Sequence, residues 1–522
     1  MARIVILPQR IVLPLLLFGG IVFDSFTGRI AGPAALGKRL KQAFERLQVT
    51  YLKLGQYLAI RADLLPRELC RELEALFDEV APLELSVVEQ VIASELGQPA
   101  DEVFAEFAPE PIAAASIAQV HRATLRDGRS VAVKVQRPGI REIFAADMRL
   151  IRLLARLIDL SGILPLVRLT RAAAEFETFT SREMDFRQEA ATATRIRAMR
   201  LPGCVIPAIV YQLSTSRVLV MDYIHGISLA QIVRAYAGDE APDFSPEFIR
   251  RALTNLARVS LRQLYVEGFF HADPHPGNVL ILPDGRVGLI DFGIFGELTP
   301  MQTQRMRAYV SALVRADFAT SAWHLVRVYR THERSDIEGA QRDIARVLAG
   351  WHAAWSTPGT PPEQRQIGRF LGQIIEVMKQ RRIEMSTDTL LFWRSMTVLN
   401  ASTSRMRGDY DLLGAMRDFF SELARARVQT LTSPAARAIQ ATSLLASAER
   451  LAQIASAEDA TRVGAVLTRR HDGTVRDAML LTCVGALAIA AVALWPQSAA
   501  AWSIAAAALL VVLVPAFWKR AQ

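Results

Sequence analysis

An α+β fold of two lobes is what this 522-residue sequence predicts, and three stretches carry the prediction. "SVAVKVQRPG" alternates Val131, Val133 and Val135 against Lys134, the two-residue period of a half-buried strand. "RVLVMDYIHGISL" (Arg217–Leu229) reads as a buried strand running into a turn, which suits a connection between lobes. "HADPHPGNVLILPDGRVGLIDFG" (His271–Gly293) places the apolar runs Val279–Leu282 and Val287–Ile290 on either side of Asp284-Gly285, a strong hairpin signal. Long stretches of helical period lie between and after these strands.

In chain order, residues 1–28 form a hydrophobic segment. Its core, Ile11–Phe23, is short and contains Pro14, so it reads as interfacial or lobe-packing. Residues 29–105 form a helical extension in which Lys53 and Gln56, three apart, share a face. Residues 106–430 hold the main domain, with a small lobe to about 222 and a large lobe from 223. Within it an apolar strand and a hairpin at Asp127-Gly128 come first, and Met148–Leu160 has the 3.6-residue period of a helix. Thr299-Pro300 is an N-cap and first-turn proline that opens a mostly helical stretch. Residues 431–475, with Ser433–Gly473 rich in Ala, Ser, Thr and Arg, read as an amphipathic connector. In residues 476–522, Ala478–Leu494 and Ala499–Phe517 carry no charged side chain, and each is close to the ~20 residues that span hydrocarbon. Arg469, Arg470 and Arg476 precede this pair and Lys519 and Arg520 follow it, which places both flanks on the cytoplasmic side.

The chemistry concentrates in the hairpin stretch. If Asp284 and Gly285 alone form the loop, residue 283 faces 286, 280 faces 289, and Asn278 faces Asp291 with Cβ atoms roughly 5 Å apart. Pro283 allows a shift of one residue. Two oxygen ligands at that spacing suit Mg²⁺, which takes one or two protein carboxylates and completes its shell with water and phosphate. Asp273 precedes Asn278 at the spacing of the kinase catalytic loop, and Asp291-Phe292-Gly293 follows as D-F-G. In that order Asp273 handles a hydroxyl proton while Asn278 and Asp291 hold metal on the phosphates. The expected architecture is therefore a two-lobed protein-kinase-like fold. Lys134 matches the strand lysine of such folds, and Met221–Ile224, including Tyr223, would offer backbone groups to an adenine ring. The phosphate-covering loop is alanine-rich, Ala113-Ala114-Ala115-Ser116. Alanine avoids positive φ, so the nucleotide is expected to be held differently from the ordinary protein-kinase manner.

Taken together, "KLGQYLAIRADLLP" (Lys53–Pro66), "AAASIAQVH" (Ala113–His121), "VAVKVQRPG" (Val131–Gly139), "EMDFRQEA" (Glu183–Ala190), "HADPHPGN" (His271–Asn278) and "IDFG" (Ile290–Gly293) resemble the UbiB or aarF-domain-containing (ADCK) atypical kinases. The resemblance covers roughly residues 40 to 400. It implies ATP or ADP as ligand with Mg²⁺, and a nucleotide cradle of Ile112, Ala113, Ala114, Ala115, Ser116, Ile117, Ala118, Gln119 and Val120. It also implies that Glu189 pairs with Lys134, that Glu183 and Asp185 lie near the nucleotide, and that the helix of Lys53 and Gln56 crosses the place where a protein kinase admits a peptide. Because Lys134 and Glu189 are 55 residues apart, a helical insert must lie between them. The implied role is support of ubiquinone biosynthesis at a bacterial inner membrane. The implied partners are membrane lipids, isoprenoid quinone precursors and other proteins of that pathway.

Two departures from ordinary protein kinases bear on mechanism. Ala272 replaces the arginine that would pair with a phosphorylated activation loop, and no A-P-E segment follows Gly293. Both disfavour a protein substrate. Composition agrees with a lipid setting: 51% of residues are hydrophobic, and 61 basic against 52 acidic residues give a net charge of +9. No aromatic-basic nucleic-acid motif accompanies that charge, so anionic headgroups are the expected partner and nucleic acid is not. The three cysteines form no metal pattern and suit a reducing compartment, and His121, His271 and His275 lack zinc-site spacing. A protein kinase acting on a quinone-pathway hydroxylase and a nucleotide-binding pseudokinase scaffold remain as rival readings.

Overall fold

The computed structural model describes residues 2–61, 64–76, 81–161, 168–237, 244–357, 360–361, 367–406 and 411–432. The chain divides into two compact units, residues 1–417 and 418–522, and the sheets and the site described below belong to the first. The expected connector and the apolar pair Ala478–Leu494 and Ala499–Phe517 lie outside the described residues. Among the described residues no helix is long and apolar enough to cross a membrane.

Helices α1 (Ala2–Phe26), α2 (Gly32–Leu47), α3 (Thr50–Ala59), α4 (Arg67–Glu74), α5 (Leu85–Leu96) and the short α6 (Ala100–Val103) precede the first strand. The amphipathic faces of the first four meet in one cluster, where Phe44 and Leu47 of α2, Tyr51 and Leu52 of α3, and Leu69 and Leu73 of α4 are buried. Gly55 is needed there: a Cβ at this position would stand 2.2 Å from Leu76 Cδ1 and 2.7 Å from Phe44 Cδ2.

The small lobe follows. Strands β1 (Phe104–Ala114), β2 (Ala118–Leu125) and β3 (Ser130–Gln136) form an antiparallel sheet in that order, and its fourth strand comes later in the chain. Gly128 turns the chain between β2 and β3 at φ +86°. Val131, Val133 and Val135 are buried against Val88 and Ile92 of α5, which leaves Lys134 on the opposite face, as the alternation predicts. The expected insert is a helical pair, α7 (Ile140–Ser161) and α8 (Leu169–Glu183), ahead of α9 (Phe186–Ala198), which carries Glu189. After β4 (Cys204–Val205), β5 (Val218–Asp222) completes the four-stranded sheet beside β3 and leads into the large lobe.

There, β6 (Ile227–Ser228), α10 (Leu229–Ala237) and α11 (Pro246–Arg262) come first. The last turn of α11 widens into a π turn, Gln263–Glu267, before β7 (Phe269–His271). Strands β8 (Val279–Ile281) and β9 (Val287–Leu289) form the predicted hairpin, and β10 (Phe295–Glu297) pairs with β7. Thr299 and Gln302 close a reciprocal capping box on α12 (Pro300–Val314), and further helices follow, among them Thr387–Met406.

The hairpin corrects one expectation. Leu280 faces Gly288 and Ile281 faces Val287, one residue away from the register that would set 280 against 289 and Asn278 against Asp291. The loop is Pro283-Asp284-Gly285, with Leu282 N–H donating to Arg286 O at 2.9 Å and Gly285 at φ +81°. A two-residue loop needs residue 283 to donate an N–H to residue 286, and proline has none.

Candidate active site

Lys134 reaches from β3 across the inner face of the small lobe to α9. Its Nζ donates to both carboxylate oxygens of Glu189, at 2.8 and 2.9 Å, and lies 3.6 Å from Asp291 Oδ1. The ammonium also sits 5.3 Å from the centre of the Phe186 ring. Burial disfavours its charge, but Glu189 and then Asp291 outweigh burial and hold Lys134 protonated well above the usual lysine range. At Asp291 burial likewise raises the carboxyl, and Lys134 followed by His271 overcomes it, so the group stays ionised. The Gly293 N–H donates to Asp291 Oδ1 at 3.1 Å, which fixes the carboxylate at the mouth of the following turn.

The loop after β7 brings the other groups in. Asn278 Nδ2 lies 3.4 Å from Asp291 Oδ2 and 3.2 Å from the main-chain oxygen of Asp273, so the amide and the acid meet despite the shifted register. The oxygens of Asp291 and Asn278 are hard donors of the kind Mg²⁺ prefers. With its Nδ2 donating to the Asp273 carbonyl, the Asn278 amide keeps its oxygen for a cation. No group of three or more His, Cys, Asp or Glu side chains among the described residues forms a metal cluster, and a magnesium that shares its shell with phosphate needs none.

Asp273 is oriented from two sides. Its N–H donates to His271 Nδ1 at 3.1 Å, while the His271 N–H donates to Gln263 Oε1 at 2.9 Å from the π turn. Its Oδ1 accepts from Arg394 Nη2 at 2.9 Å. Burial raises the Asp273 carboxyl, and Arg394, then His275, more than offset it, so the group is held below the usual carboxylate range. Neither Arg394 nor Gln263 is legible as a site residue from sequence. The one available hint for Arg394 is a lone arginine in the apolar run "LLFWRSM".

The N-terminal extension meets this site through α3. Lys53 Nζ lies 3.3 Å from Glu183 Oε2 at the end of α8, and it is close enough to Lys134 and Asp291 to influence both electrostatically. Gln56 is half-buried on the same helix. Asp185 is occupied otherwise: it N-caps α9 and accepts two bonds from the Arg187 guanidinium, at 2.9 and 2.8 Å. In the alanine-rich turn, Ala115 N–H donates to Ala118 O at 2.8 Å. Ile112 and Ala113 are exposed, Ala114 and Ala115 are half-buried, and Ser116 is buried. Ile117 and Ala118 pack into the cluster that holds Tyr57 of α3. The Gln119 side chain accepts from Leu83 N–H at 2.7 Å and donates to His121 Nε2 at 2.7 Å. Val120 pairs with Lys134 across β2 and β3. At the lobe connection Met221 is buried, and the Tyr223 N–H is taken by Ser130 O at 3.0 Å.

An antiparallel small lobe, an ion-paired strand lysine and a D-F-G aspartate beside it define a kinase-like protein. The chain belongs to the ABC1 atypical kinase-like family, whose model matches residues 75–324. An uncharacterized protein of Synechocystis is 35% identical over 58% of this chain and 75% of its own length. The probable protein kinase UbiB of Marinobacter nauticus is 29% identical over 75% of this chain and 71% of its own. An uncharacterized chloroplastic aarF domain-containing protein kinase of Arabidopsis thaliana is 31% identical over 72% of this chain and 52% of its own.

Proposed function

We propose that this chain is a membrane-anchored atypical kinase or ATPase that supports ubiquinone biosynthesis, acting on or presenting a lipid-like isoprenoid precursor at the cytoplasmic face of a bacterial inner membrane. The observation that carries the reading is the contact of Lys134 with both Glu189 and Asp291, 2.8 and 3.6 Å away. Resemblance to a protein named UbiB supplies the pathway.

In this reading Lys134, steered by Glu189, holds the α- and β-phosphates of ATP. Asn278 and Asp291 hold magnesium, which when bound neutralises phosphate charge. Asp273, kept ionised by Arg394, accepts the proton of the attacking hydroxyl or water. The chain offers a protein substrate little to dock on, since α12 opens at Pro300 soon after the D-F-G turn and α3 brings Lys53 to the cleft from the other side. The two apolar C-terminal stretches would anchor the chain in the bilayer.

The test separates binding from turnover. Asp291→Asn is expected to lose Mg-nucleotide affinity, measured by calorimetry, with an unchanged circular dichroism spectrum. Asp273→Ala is expected to keep that affinity and lose ATP turnover. Wild-type affinity in Asp291→Asn would remove the metal assignment, and normal quinone intermediates in a deletion strain would remove the pathway.

A further inference from the structure

Two neighbouring helices of the first unit expose more apolar surface than packing within it accounts for. Along α1, Ile11, Leu15, Leu16, Val22 and Phe23 are exposed, and Phe26 is 92% exposed. On α7 the exposed leucines are Leu153, Leu157 and Leu160, the last at 84%. Single exposed leucines are ordinary, but a helical stripe beside a second apolar helix is not.

The two helices touch. Arg10 of α1 stands 3.6 Å from the buried Asp147 of α7, and Leu17 and Phe18 of α1 pack against the same apolar cluster as Ile151 of α7. On a 3.6-residue wheel, Leu153, Leu157 and Leu160 fall between the side of α7 that meets α1 and the side that carries Arg149, Arg152 and Arg156. Arg152 pairs with Glu177 at 3.2 Å; Arg149 and Arg156 make no ion pair among the described residues. The order across the surface is therefore the apolar α1, then leucines, then a row of arginines.

We propose that α1 and the Leu153–Leu160 face of α7 form a docking surface for an anionic lipid bilayer, with the helices lying in the interface. Leucines set beside arginines match the depth profile of a bilayer surface: the apolar chains reach the acyl boundary while guanidinium groups stay with the phosphates. The row of positive charge selects an anionic surface over a neutral one. Because α3 and α8 also pack on α7, the contact would bring Lys53 and the mouth of the cleft close to the membrane. The proposal rests on neither the nucleotide reading nor a C-terminal anchor.

The test uses the full chain in vesicles of phosphatidylcholine with or without phosphatidylglycerol, with nitroxide quenchers in the lipid. A fluorescent amino acid is encoded at position 157, at 26 or, as a control, at 301, an exposed site on α12. Fluorescence at 157 and 26 is expected to be lost in the anionic vesicles while that at 301 persists. Arg149→Gln with Arg156→Gln is expected to restore it at 157. Equal fluorescence at all three positions would overturn the proposal. So would an emission shift at 157 that follows protein concentration without lipid, which would assign the face to a second copy of the chain.

Discussion

Arg394 shows how one side chain sets the working state of another. It comes from the helix Thr387–Met406, whose Phe392 packs edge-on against Tyr265 and Phe270, with ring centres 5.3 and 5.7 Å away. That packing holds Arg394 within 2.9 Å of Asp273. Without the guanidinium, burial would dominate and raise the Asp273 carboxyl. A base must be ionised to accept a proton, so in Arg394→Gln the acid limb of the pH–turnover profile is expected to move to higher pH. Arg394→Lys keeps the charge without the fork and is expected to recover part of the shift. An unmoved acid limb in Arg394→Gln would show that Asp273 is not the titrating group. The Lys134–Glu189 pair obeys the same electrostatics with a different outcome. Removing Glu189 takes away both hydrogen bonds of the ammonium and leaves Asp291 as its counter-ion, so Glu189→Ala is expected to cost about 1.5–3 kcal/mol in stability by urea unfolding, as well as nucleotide affinity.

At the scale of elements, the seat of α3 depends on a single residue. Gly55 lets it lie against Phe44 and Leu76, and that closeness brings Lys53 to Glu183. In Gly55→Ala the new Cβ must displace both neighbours, so a loss of about 1–3 kcal/mol is expected by thermal or urea unfolding. An unchanged midpoint would mean that the extension tolerates a looser seat. Most elements around the site were legible because their signals are local. The valine alternation fixes which way Lys134 points, the Asp127-Gly128 and Asp284-Gly285 turns mark two hairpins, and Thr299-Pro300 starts α12. The hairpin register was legible only as a choice of two, because the Asp-Gly turn favours one pairing and the missing N–H of Pro283 imposes the other. Arg394 and Gln263 were not legible. Arg394 reaches Asp273 from 121 residues away and Gln263 reaches His271 from 8, and no spacing rule reports either contact. Asp185 was visible as a motif but not as a cap, because an Asp before a helix suits both roles.

Across the whole molecule, buried titratable groups of opposite tendency set the response to acid. His121 and His271 are buried, and burial lowers both below the ordinary histidine value. Glu110 faces His121, and Asp291, Asp273 and His275 face His271. Each is needed unprotonated at one nitrogen: His121 Nε2 accepts from Gln119, and His271 Nδ1 accepts from Asp273 N–H. Just below pH ~6.5 the unfolded chain therefore binds protons that the folded chain refuses, and stability falls as pH falls. Burial pushes the Asp147, Glu74 and Asp388 carboxyls the other way, upward, so the folded chain takes up protons first and stability from these groups rises as pH falls. The histidine set acts downward from pH ~6.5 and the carboxyl set upward from pH ~4, so both act between those values, and single substitutions can separate them. His271→Asn should make the plot of unfolding free energy against pH less steep there, by up to about 1.4 kcal/mol per pH unit for the one proton removed. Asp147→Asn should make it steeper by a comparable amount, because it removes a term of opposite sign. Urea titrations across that range would decide the matter. If both variants changed the slope in the same direction, the assignment of His271 and Asp147 as opposing groups would fail.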